Sequence, residues 1–359
     1  MGTSRLKDQR SPSSTGRRDA LGAEARNKGV CAEGRAGGSI TTRASGDTGA
    51  VAIKLAVPDL ISPSYFPAAA AVELGFFREE GLDVALELIY PVDNCYRQLR
   101  DGAIDFVGGS AHSALAAFPE WNGAKLLCAQ SQGMYWFLVV HRDLGARRGD
   151  LSILKGRTIG AAPWVDMGLR RLLIEAGHDP ERERITIAPV PGAFVGKSVN
   201  FGLTAAKALK ERKIDGFWGN GMGAEVAVRG GYGTVLIDVR RGDGPKPCFN
   251  YTMAAIATTD ALIRRSPELA AGAVRAIVKT LRALKEDVSR ATTIGRKLFP
   301  AAEAEIIAEL IRRDLPYYDA TISESFVAGM NGFARDMGAL KRDVPYAQVV
   351  ATQFSDFWA

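Results

Sequence analysis

The sequence predicts an α/β protein made of two similar lobes with a cleft between them. Short apolar segments of strand character alternate with helical segments, which is the pattern of mostly parallel sheets covered by helices. After a charged turn at Arg142–Gly149 the same alternation starts again, and beyond Ala257 the chain is essentially helical. The repetition predicts one sheet in each lobe.

The first run of strands and helices covers about residues 51–141. Pro67 opens its first helix and Gly75 ends it, because proline fits the first helical turn and glycine favours the position after the last one. The alternating apolar residues of Val51–Val57 indicate a strand. The segments of this run are strands at Val51–Val57, Val84–Tyr90, Ile104–Gly108, Lys125–Ala129 and Tyr135–His141, with helices at Ala68–Leu74, Asn94–Arg100 and Ala111–Phe118.

The second run repeats this rhythm. Its segments are strands at Thr158–Ala161, Ile185–Val190, Ile214–Trp218 and Val235–Asp238, with helices at Met167–Ala176 and Leu203–Glu211. The strand Tyr251–Ala257 resembles Tyr135–Val140, and we interpret the two segments as crossings between the lobes. Lobe 1 is therefore predicted to be discontinuous, residues 51–138 plus 251–359, and lobe 2 to be residues 139–250.

Helices are predicted for the rest of the chain. Ser266-Pro267 is a typical helix start, with serine as the N-cap and proline in the first turn. This helix extends to about Asp287 and carries one apolar stripe, formed by Leu269, Ala273, Ile277 and Leu281. Further helices are predicted at Ala301–Arg313, Ser323–Met337 and Tyr346–Phe357.

The charge is unevenly distributed along the 359 residues. Residues 1–50 hold nine Lys or Arg and five Asp or Glu, whereas the remaining 309 hold 37 basic and 35 acidic residues. A body this close to neutral lacks the concentrated basic face of nucleic-acid-binding proteins, so no nucleic acid is expected as a partner. The sequence has no run of eighteen apolar residues, so no membrane-spanning helix is predicted.

The first fifty residues predict a disordered basic tail. They contain only four Leu, Ile, Val or Phe residues, too few to form a core. Thr15–Leu21 resembles the start of a twin-arginine export signal, but the following Ala23–Lys28 is too polar for the apolar region of such a signal. The sequence therefore predicts no intact export signal, and a cytoplasmic location stays open.

One stretch, Tyr65–Val84, carries a family resemblance. It contains a small apolar helix, Leu-Gly-Phe-Phe at Leu74–Phe77, an acidic pair and then Gly-Leu-Asp-Val. This resembles the periplasmic solute-binding proteins of ABC importers, of the nitrate/sulfonate/taurine type, a branch that includes binders of thiamine-pyrimidine precursors. Leu99–Phe106, Leu154–Gly160 and Ile214–Trp218 are similar to further segments of that family. The resemblance covers about residues 51–359.

The resemblance implies a two-lobed periplasmic-binding-protein fold, the type II-like Venus flytrap, with a mostly parallel sheet flanked by helices in each lobe. It also implies that the protein binds a small organic solute in the cleft, a sulfonate, a carboxylate or a heteroaromatic compound, and is not an enzyme. The implied partner is an ABC permease in the inner membrane and the implied location is the periplasm. We expect a monomer without a cofactor or a metal.

Eight residues are predicted to line the ligand pocket, because they lie in loops and helix starts that follow predicted strands. They are Ser64, Tyr65, Ser110, Gln132, Trp164, Asp166, Trp218 and Asn220. Phe194 and Tyr251 are further aromatic candidates. A buried indole needs a partner for its N–H, which favours the two tryptophans. Exposed helix N-termini would suit an uncharged or anionic group, but no Lys or Arg lies at a cleft-facing loop tip, which argues against a strong inorganic anion.

Two enzyme alternatives stay open. Gly219–Ala224 matches the dinucleotide pattern G-x-G-x-x-A, which would suit an NAD(P)-dependent oxidoreductase, but the crossover helix after it is very short. A serine hydrolase is not indicated, because Gly108–His112 has His112 in place of the last glycine of the nucleophile elbow, G-x-S-x-G. A cytosolic enzyme like the thiamine-pyrimidine synthases is the second alternative. Its iron motif is not provided by the four scattered cysteines, Cys31, Cys95, Cys128 and Cys248.

Overall fold

A computed structural model describes residues 52–193 and 200–359. The tail predicted for residues 1–50, Cys31 within it, and Phe194 lie outside the described residues. No helix in the described ranges combines the length and the apolar character that crossing a membrane requires.

Ten strands form two five-stranded sheets in the described part of the chain. In chain order they are β1 (Ile53–Val57), β2 (Val84–Leu88), β3 (Phe106–Ser110), β4 (Ala124–Ser131), β5 (Phe137–His141), β6 (Thr158–Ala161), β7 (Thr186–Ala188), β8 (Gly216–Gly219), β9 (Gly233–Asp238) and β10 (Ala254–Thr259). The first sheet has the order β2-β1-β3-β10-β4 and the second has the order β7-β6-β8-β5-β9.

The two sheets share one topology. In the first sheet β10 lies antiparallel between β3 and β4, and in the second β5 lies antiparallel between β8 and β9. The remaining pairs are parallel. Each sheet thus receives one strand from a distant part of the chain, and the predicted α/β fold with two mostly parallel sheets is confirmed.

Helices flank both sheets. They are α1 (Phe66–Glu73), α2 (Phe76–Glu79), α3 (Val92–Arg100), α4 (Asp166–Glu175), α5 (Phe201–Lys210), α6 (Gly221–Arg229), α7 (Asp260–Arg265), α8 (Pro267–Glu286), α9 (Arg290–Leu298), α10 (Ala301–Asp314), α11 (Glu324–Asp336) and α12 (Tyr346–Val349). The helix predicted at Tyr346–Phe357 is broken after Val349, because Val350 forms a parallel bridge with Leu126. The helix predicted after Ser110 is a 3₁₀ helix, Ala111–Ala116.

Two chain segments pass from one sheet to the other, residues 132–136 and residues 239–253. The lobe division predicted from the sequence, 51–138 plus 251–359 and 139–250, remains a prediction. Within it, Phe137 and Leu138 pair with β8 and β9 and so belong to the second sheet.

Arg240 joins the two crossings. Its side chain is only 1% exposed and its Nε donates to the Gln132 carbonyl at 2.8 Å. Nη2 donates to the Ser131 hydroxyl at 2.6 Å, and Nη1 lies 3.5 Å from Asp314 Oδ2. Arg241, the next residue, donates to Asp314 Oδ1 at 2.8 Å. One buried guanidinium group therefore contacts both crossings and holds them next to each other.

Candidate functional site

A cavity lies between the two lobes, at the carboxyl ends of parallel strands from both sheets. Such crevices are where open α/β sheets bind their ligands. The space free of protein atoms within it, which includes open solvent, is about 390 Å³. Its lining comes from both lobes and one crossing: Pro58, Asp59, Ser62, Tyr65, Tyr90, Val92, Trp136, Ala162, Val165, Phe201, Gly219 and Asn220.

Aromatic rings form much of the wall. Tyr90 of lobe 1 and Phe201 of lobe 2 lie nearly parallel, with ring centroids 6.1 Å apart and an interplanar angle of 18°. The Tyr65 hydroxyl is hydrogen-bonded to the Tyr135 hydroxyl at 2.5 Å. Trp136, which directly precedes β5, completes this surface. Flat, largely apolar walls of this kind suit a planar or partly apolar ligand.

Asp59 is the only charged side chain in the described lining of the cavity. Its Oδ1 accepts from the Ile61 backbone N–H at 3.0 Å, and its Oδ2 accepts from Asn220 Nδ2 of the other lobe at 2.7 Å. Burial raises the pKa of the Asp59 carboxyl from 3.8 to about 7, although hydrogen bonds from Ile61, Gly202 and Asn220 act in the opposite direction. The Asp59 carboxyl therefore connects the two lobes through its hydrogen bond with Asn220. The groups that donate to it are uncharged.

At each of the two helix N-termini beside the cavity, one first-turn N–H faces an acceptor from the protein. The Asn220 Oδ1 atom caps α6 by accepting from the Gly223 N–H at 3.0 Å. The Gly202 N–H, in the first turn of α5, faces the Asp59 carboxyl and acts to lower its pKa. The sequence suggested that free helix starts would suit an uncharged or anionic group. At α5 and α6 the structure differs, because carboxylate and amide oxygens of the chain accept from these two first-turn N–H groups.

Two of the eight predicted site residues, Tyr65 and Asn220, line the cavity. Trp164 and Asp166 instead line a second, open depression on lobe 2, where Asp166 accepts from Arg170 Nε at 3.0 Å. The two spaces flank the same turn between β6 and α4. The predicted ligand contacts of these four residues remain predictions.

Ser64 and Ser110 lie outside the lining of the cavity and have protein partners. Ser64 accepts from Arg240 Nη1 at 3.1 Å. The Ser110 hydroxyl is bonded to that of Ser113 at 2.6 Å. Ser110 occupies the N-cap position of the 3₁₀ helix without a side-chain cap bond. The structure does not bring these two serines to the cavity, and their predicted ligand contact stays a prediction.

Gln132 and Trp218 also lie away from the cavity. The Gln132 side chain donates to the Asp319 and Thr321 carbonyls at 3.0 and 2.6 Å. Trp218 is fully buried in the core of lobe 2, and its indole N–H donates to the Val165 carbonyl at 3.1 Å. The partner that the sequence required for this indole is therefore a backbone carbonyl.

Sequence reasoning did not select Asp59, Ser62, Tyr90 or Phe201. The sequence contains a signal for Asp59, because this residue lies two positions after the first strand and therefore near the carboxyl end of that strand. The other three had none, because loops and helix starts contain many residues and only the packed structure shows which ones face the cleft.

The glycines of Gly219–Ala224 accommodate protein packing. A Cβ atom on Gly221 would lie 2.7 Å from Arg313 Nη2, and one on Gly223 would lie 2.6 Å from the Gly202 carbonyl oxygen. The helix that follows, α6, has nine residues and is longer than predicted. Close packing of α5 against α6 thus accounts for glycine at position 223, whereas at position 221 the neighbouring atom belongs to the Arg313 side chain of α10.

His112 connects the lobes and is fully buried. Its Nε2 lies 3.0 Å from the Trp164 carbonyl oxygen and its Nδ1 lies 2.9 Å from the Thr252 hydroxyl. Because a carbonyl can only accept, Nε2 carries the proton and Nδ1 accepts from Thr252. Burial lowers the pKa of His112 from 6.5 to about 4. Both ring nitrogens of this neutral imidazole are engaged within the protein.

Acid is expected to destabilise the protein through His112. Between about pH 6.5 and pH 4 the unfolded chain binds this proton more strongly, so the free energy of unfolding falls as the pH falls. The full effect is about 3 kcal/mol, at about 1.4 kcal/mol per pKa unit. Urea denaturation across this pH range should show that His112→Gln loses this part of the slope.

His178→Gln, in a turn outside the cleft, serves as the control and should keep the slope. Asp59 makes the opposite contribution to the pH dependence of folding stability. Its raised pKa stabilises the folded state at low pH, and this stabilisation is lost as the pH rises to about 7. The difference between the wild type and the His112 variant therefore isolates the imidazole. An unchanged slope in His112→Gln would contradict the prediction.

Among the described residues, no group of three or more His, Cys, Asp or Glu side chains is placed to hold a metal ion. Cys95, Cys128 and Cys248 are free and buried, and none of them lines the cavity. Burial raises the pKa of all three thiols, that of Cys248 to about 11. These thiols are therefore poor nucleophiles at neutral pH.

Two mixed sheets of equal topology, joined by two crossings and enclosing a cavity, define the class of two-lobed periplasmic-binding-protein folds. The sequence model described as "NMT1/THI5 like" matches residues 62–291, and the chain belongs to this family. The family resemblance predicted from the sequence is thereby confirmed. A sequence comparison with curated proteins gives no match.

Solved structures of this fold include proteins of different activity. The periplasmic aliphatic sulphonate-binding protein SsuA from Escherichia coli is 14% identical, with a TM-score of 0.59 over 83% of this chain and 91% of that one. The periplasmic nitrate-binding protein NrtA from Synechocystis PCC 6803 is 14% identical, with a TM-score of 0.62 over 86% and 87%. The desulfurization enzyme DSZB is 15% identical, with a TM-score of 0.57 over 85% and 98%. The shared fold therefore does not by itself decide between binding and catalysis.

Proposed function

We propose that this protein is the solute-binding component of an ABC importer and that it captures a small, planar organic solute between its lobes. The observation that carries the proposal is the cavity at the carboxyl ends of both sheets, with aromatic walls contributed by both lobes. In this role the protein works in the periplasm as a monomer, and the closed lobes present the solute to a permease in the inner membrane.

The side chains around the cavity support binding rather than catalysis. A nucleophile paired with a base would be needed for covalent chemistry, and neither ring nitrogen of His112 is free to act as one. The described cysteines are absent from the lining. Asp59 is the remaining titratable acid, and its oxygens accept hydrogen bonds from Ile61 and Asn220.

The walls also favour one solute class among the three that the sequence left open. A heteroaromatic ring can stack on Tyr90 or Phe201, and aromatic pairs contribute about 0.5–1.5 kcal/mol beyond the area they bury. A sulfonate or a carboxylate would need donors or a cation, and no Lys or Arg belongs to the described lining. We therefore propose a heteroaromatic solute.

A binding screen of the full chain tests the proposal. The panel holds nitrate, alkanesulfonates, aromatic carboxylates, pyrimidines and other heteroaromatic compounds, and binding is read as a thermal shift and then by calorimetry. A solute at 100 times its Kd stabilises the folded state by about 2.7 kcal/mol. We expect a heteroaromatic compound to bind and to be recovered chemically unchanged.

Phe201→Leu is expected to weaken that binding about tenfold, because the ring is lost while an apolar side chain remains. Phe357→Leu is the matched control, since Phe357 lies at the chain's C-terminal end and outside the cavity lining. Equal affinity in the wild type and Phe201→Leu would contradict the site. Conversion of the bound compound would contradict the binding role and favour an enzyme.

A further inference from the structure

We infer that Asp59 and Ser62, which we call the acid anchor, bind a positively charged group of the solute. The inference rests on the proposed function and specifies the charge of the solute that the cavity accepts. It follows from three features of the cavity: an acid without a counter-charge, a hydroxyl without a partner, and two helix N-termini at each of which the protein itself already occupies one first-turn N–H.

The first feature is the environment of the Asp59 carboxyl. Its donors are the amide groups of Ile61, Gly202 and Asn220, all of them neutral. The described lining contains no Lys or Arg. Burying an ionised carboxylate is costly unless an opposite charge accompanies it. A cationic group in the cavity supplies the charge that the protein does not.

The second feature is the hydroxyl of Ser62. Ser62 is fully buried and lines the cavity, and its Oγ has no hydrogen-bond partner among the described residues. The Ser62 backbone is fixed, because its carbonyl accepts from the N–H groups of Tyr65 and Phe66. A buried polar atom without a partner calls for a group that the structure does not contain. An N–H of the solute provides one.

The third feature disfavours the usual arrangement for an anion. An anion at a helix N-terminus accepts from free first-turn N–H groups. Here Asn220 accepts from Gly223 on α6, and Asp59 takes the Gly202 N–H on α5. An anionic group would have to displace Asp59 from α5 and then remain beside a second negative charge.

A pH dependence follows whose sign depends on the charge of the ligand. In the closed protein a proton on Asp59 takes the place of a cation, so a cationic ligand competes with that proton. Its affinity rises from about pH 5.5 to about pH 8, whereas the affinity of an anion falls. Tyr65 and Tyr90 face Asp59, and burial raises the pKa of both hydroxyls, so they stay protonated in this range. Asp93, which also acts on Tyr90, is paired with Arg97.

The test uses three planar probes of one shape and different charge: benzamidinium, benzamide and benzoate. Calorimetry on the full chain should give the strongest binding for benzamidinium, roughly tenfold over benzamide at about pH 8, and the weakest for benzoate. The benzamidinium affinity should rise severalfold between about pH 5.5 and about pH 8.

Variants identify the groups responsible. Asp59→Asn should remove both the preference for the cation and the pH dependence, whereas the exposed Asp101→Asn should keep both. Ser62→Ala should weaken benzamidinium severalfold and leave the pH dependence intact. The pH dependence of the wild type tests the inference even if a variant fails to fold.

Two results overturn the inference. One is benzamidinium binding no more tightly than benzamide, including no binding of either, and the other is an unchanged charge preference in Asp59→Asn. If another solute binds in a Phe201-dependent manner while benzamidinium fails, the inference falls and the proposed function stands. If no compound of either panel binds, both fall.

Discussion

Replacing Arg240 by Met is expected to lower the free energy of unfolding by about 3–5 kcal/mol, the range for breaking a buried ion pair. The Arg240 side chain donates to the Gln132 carbonyl and to the hydroxyls of Ser131 and Ser64, and it pairs with Asp314. Methionine fills much of the space but leaves each of these acceptors without this donor. Both crossings lose their common contact as a result.

Urea denaturation of the full chain measures this loss. Arg264→Met is the matched control, since Arg264 is exposed on α7 and its replacement should change stability by less than about 0.5 kcal/mol. Arg240→Lys should fall between the two, because an ammonium group keeps the charge but cannot reproduce the planar fork of donors. A loss below about 1 kcal/mol in Arg240→Met would mean that Arg241 alone satisfies Asp314.

Trp218→Ala is expected to cost about 3–5 kcal/mol of folding stability, the usual cost of truncating a buried tryptophan. Trp218 is fully buried in lobe 2 and contacts the edge of Trp136, with ring centroids 6.1 Å apart. The variant leaves a large cavity beneath β8 and an unpaired Val165 carbonyl. Trp218 is thus expected to stabilise the lobe that carries five of the twelve residues lining the cavity.

Trp164→Ala is the matched control for this prediction. Trp164 is half-buried in the open depression, so its loss should cost clearly less stability. Trp218→Phe keeps a ring and removes the N–H, and should cost about 1 kcal/mol for the lost hydrogen bond in addition to the smaller side chain. Equal losses in Trp164→Ala and Trp218→Ala would contradict the placement of Trp218 in the core.

Much of the fold was predictable because its signals are local. Apolar alternation in Val51–Val57 and the Pro67 and Gly75 signals around the first helix depend only on neighbouring residues. The repeated rhythm then predicted two sheets. The helix at Tyr346–Phe357 failed because Val350 pairs with a distant strand, and no local pattern encodes that contact.

The candidate site was only partly predictable. Tyr65 and Asn220 were predicted because each lies between a strand and the start of the next helix, and both line the cavity. Trp218 was predicted to lie at the same edge. However, the side chain of a residue just before the end of a strand can point into the lobe as easily as into the cleft. Phe201 was not predicted, because it forms the wall together with Tyr90 of the other lobe, and only the tertiary structure brings the two rings together.

The sequence by itself determined the class of fold, the two-lobed plan and the near-neutral body, because composition and periodicity encode which residues are buried within each element. Only the tertiary structure decided which polar groups are free to meet a solute. Asp59 and Asn220 are 161 residues apart and meet only because the lobes close on each other. Their hydrogen bond occupies groups that would be open in each lobe alone. The charge that we propose for the solute therefore depends on contacts between the lobes, since hydrogen-bond partners are not specified by local sequence.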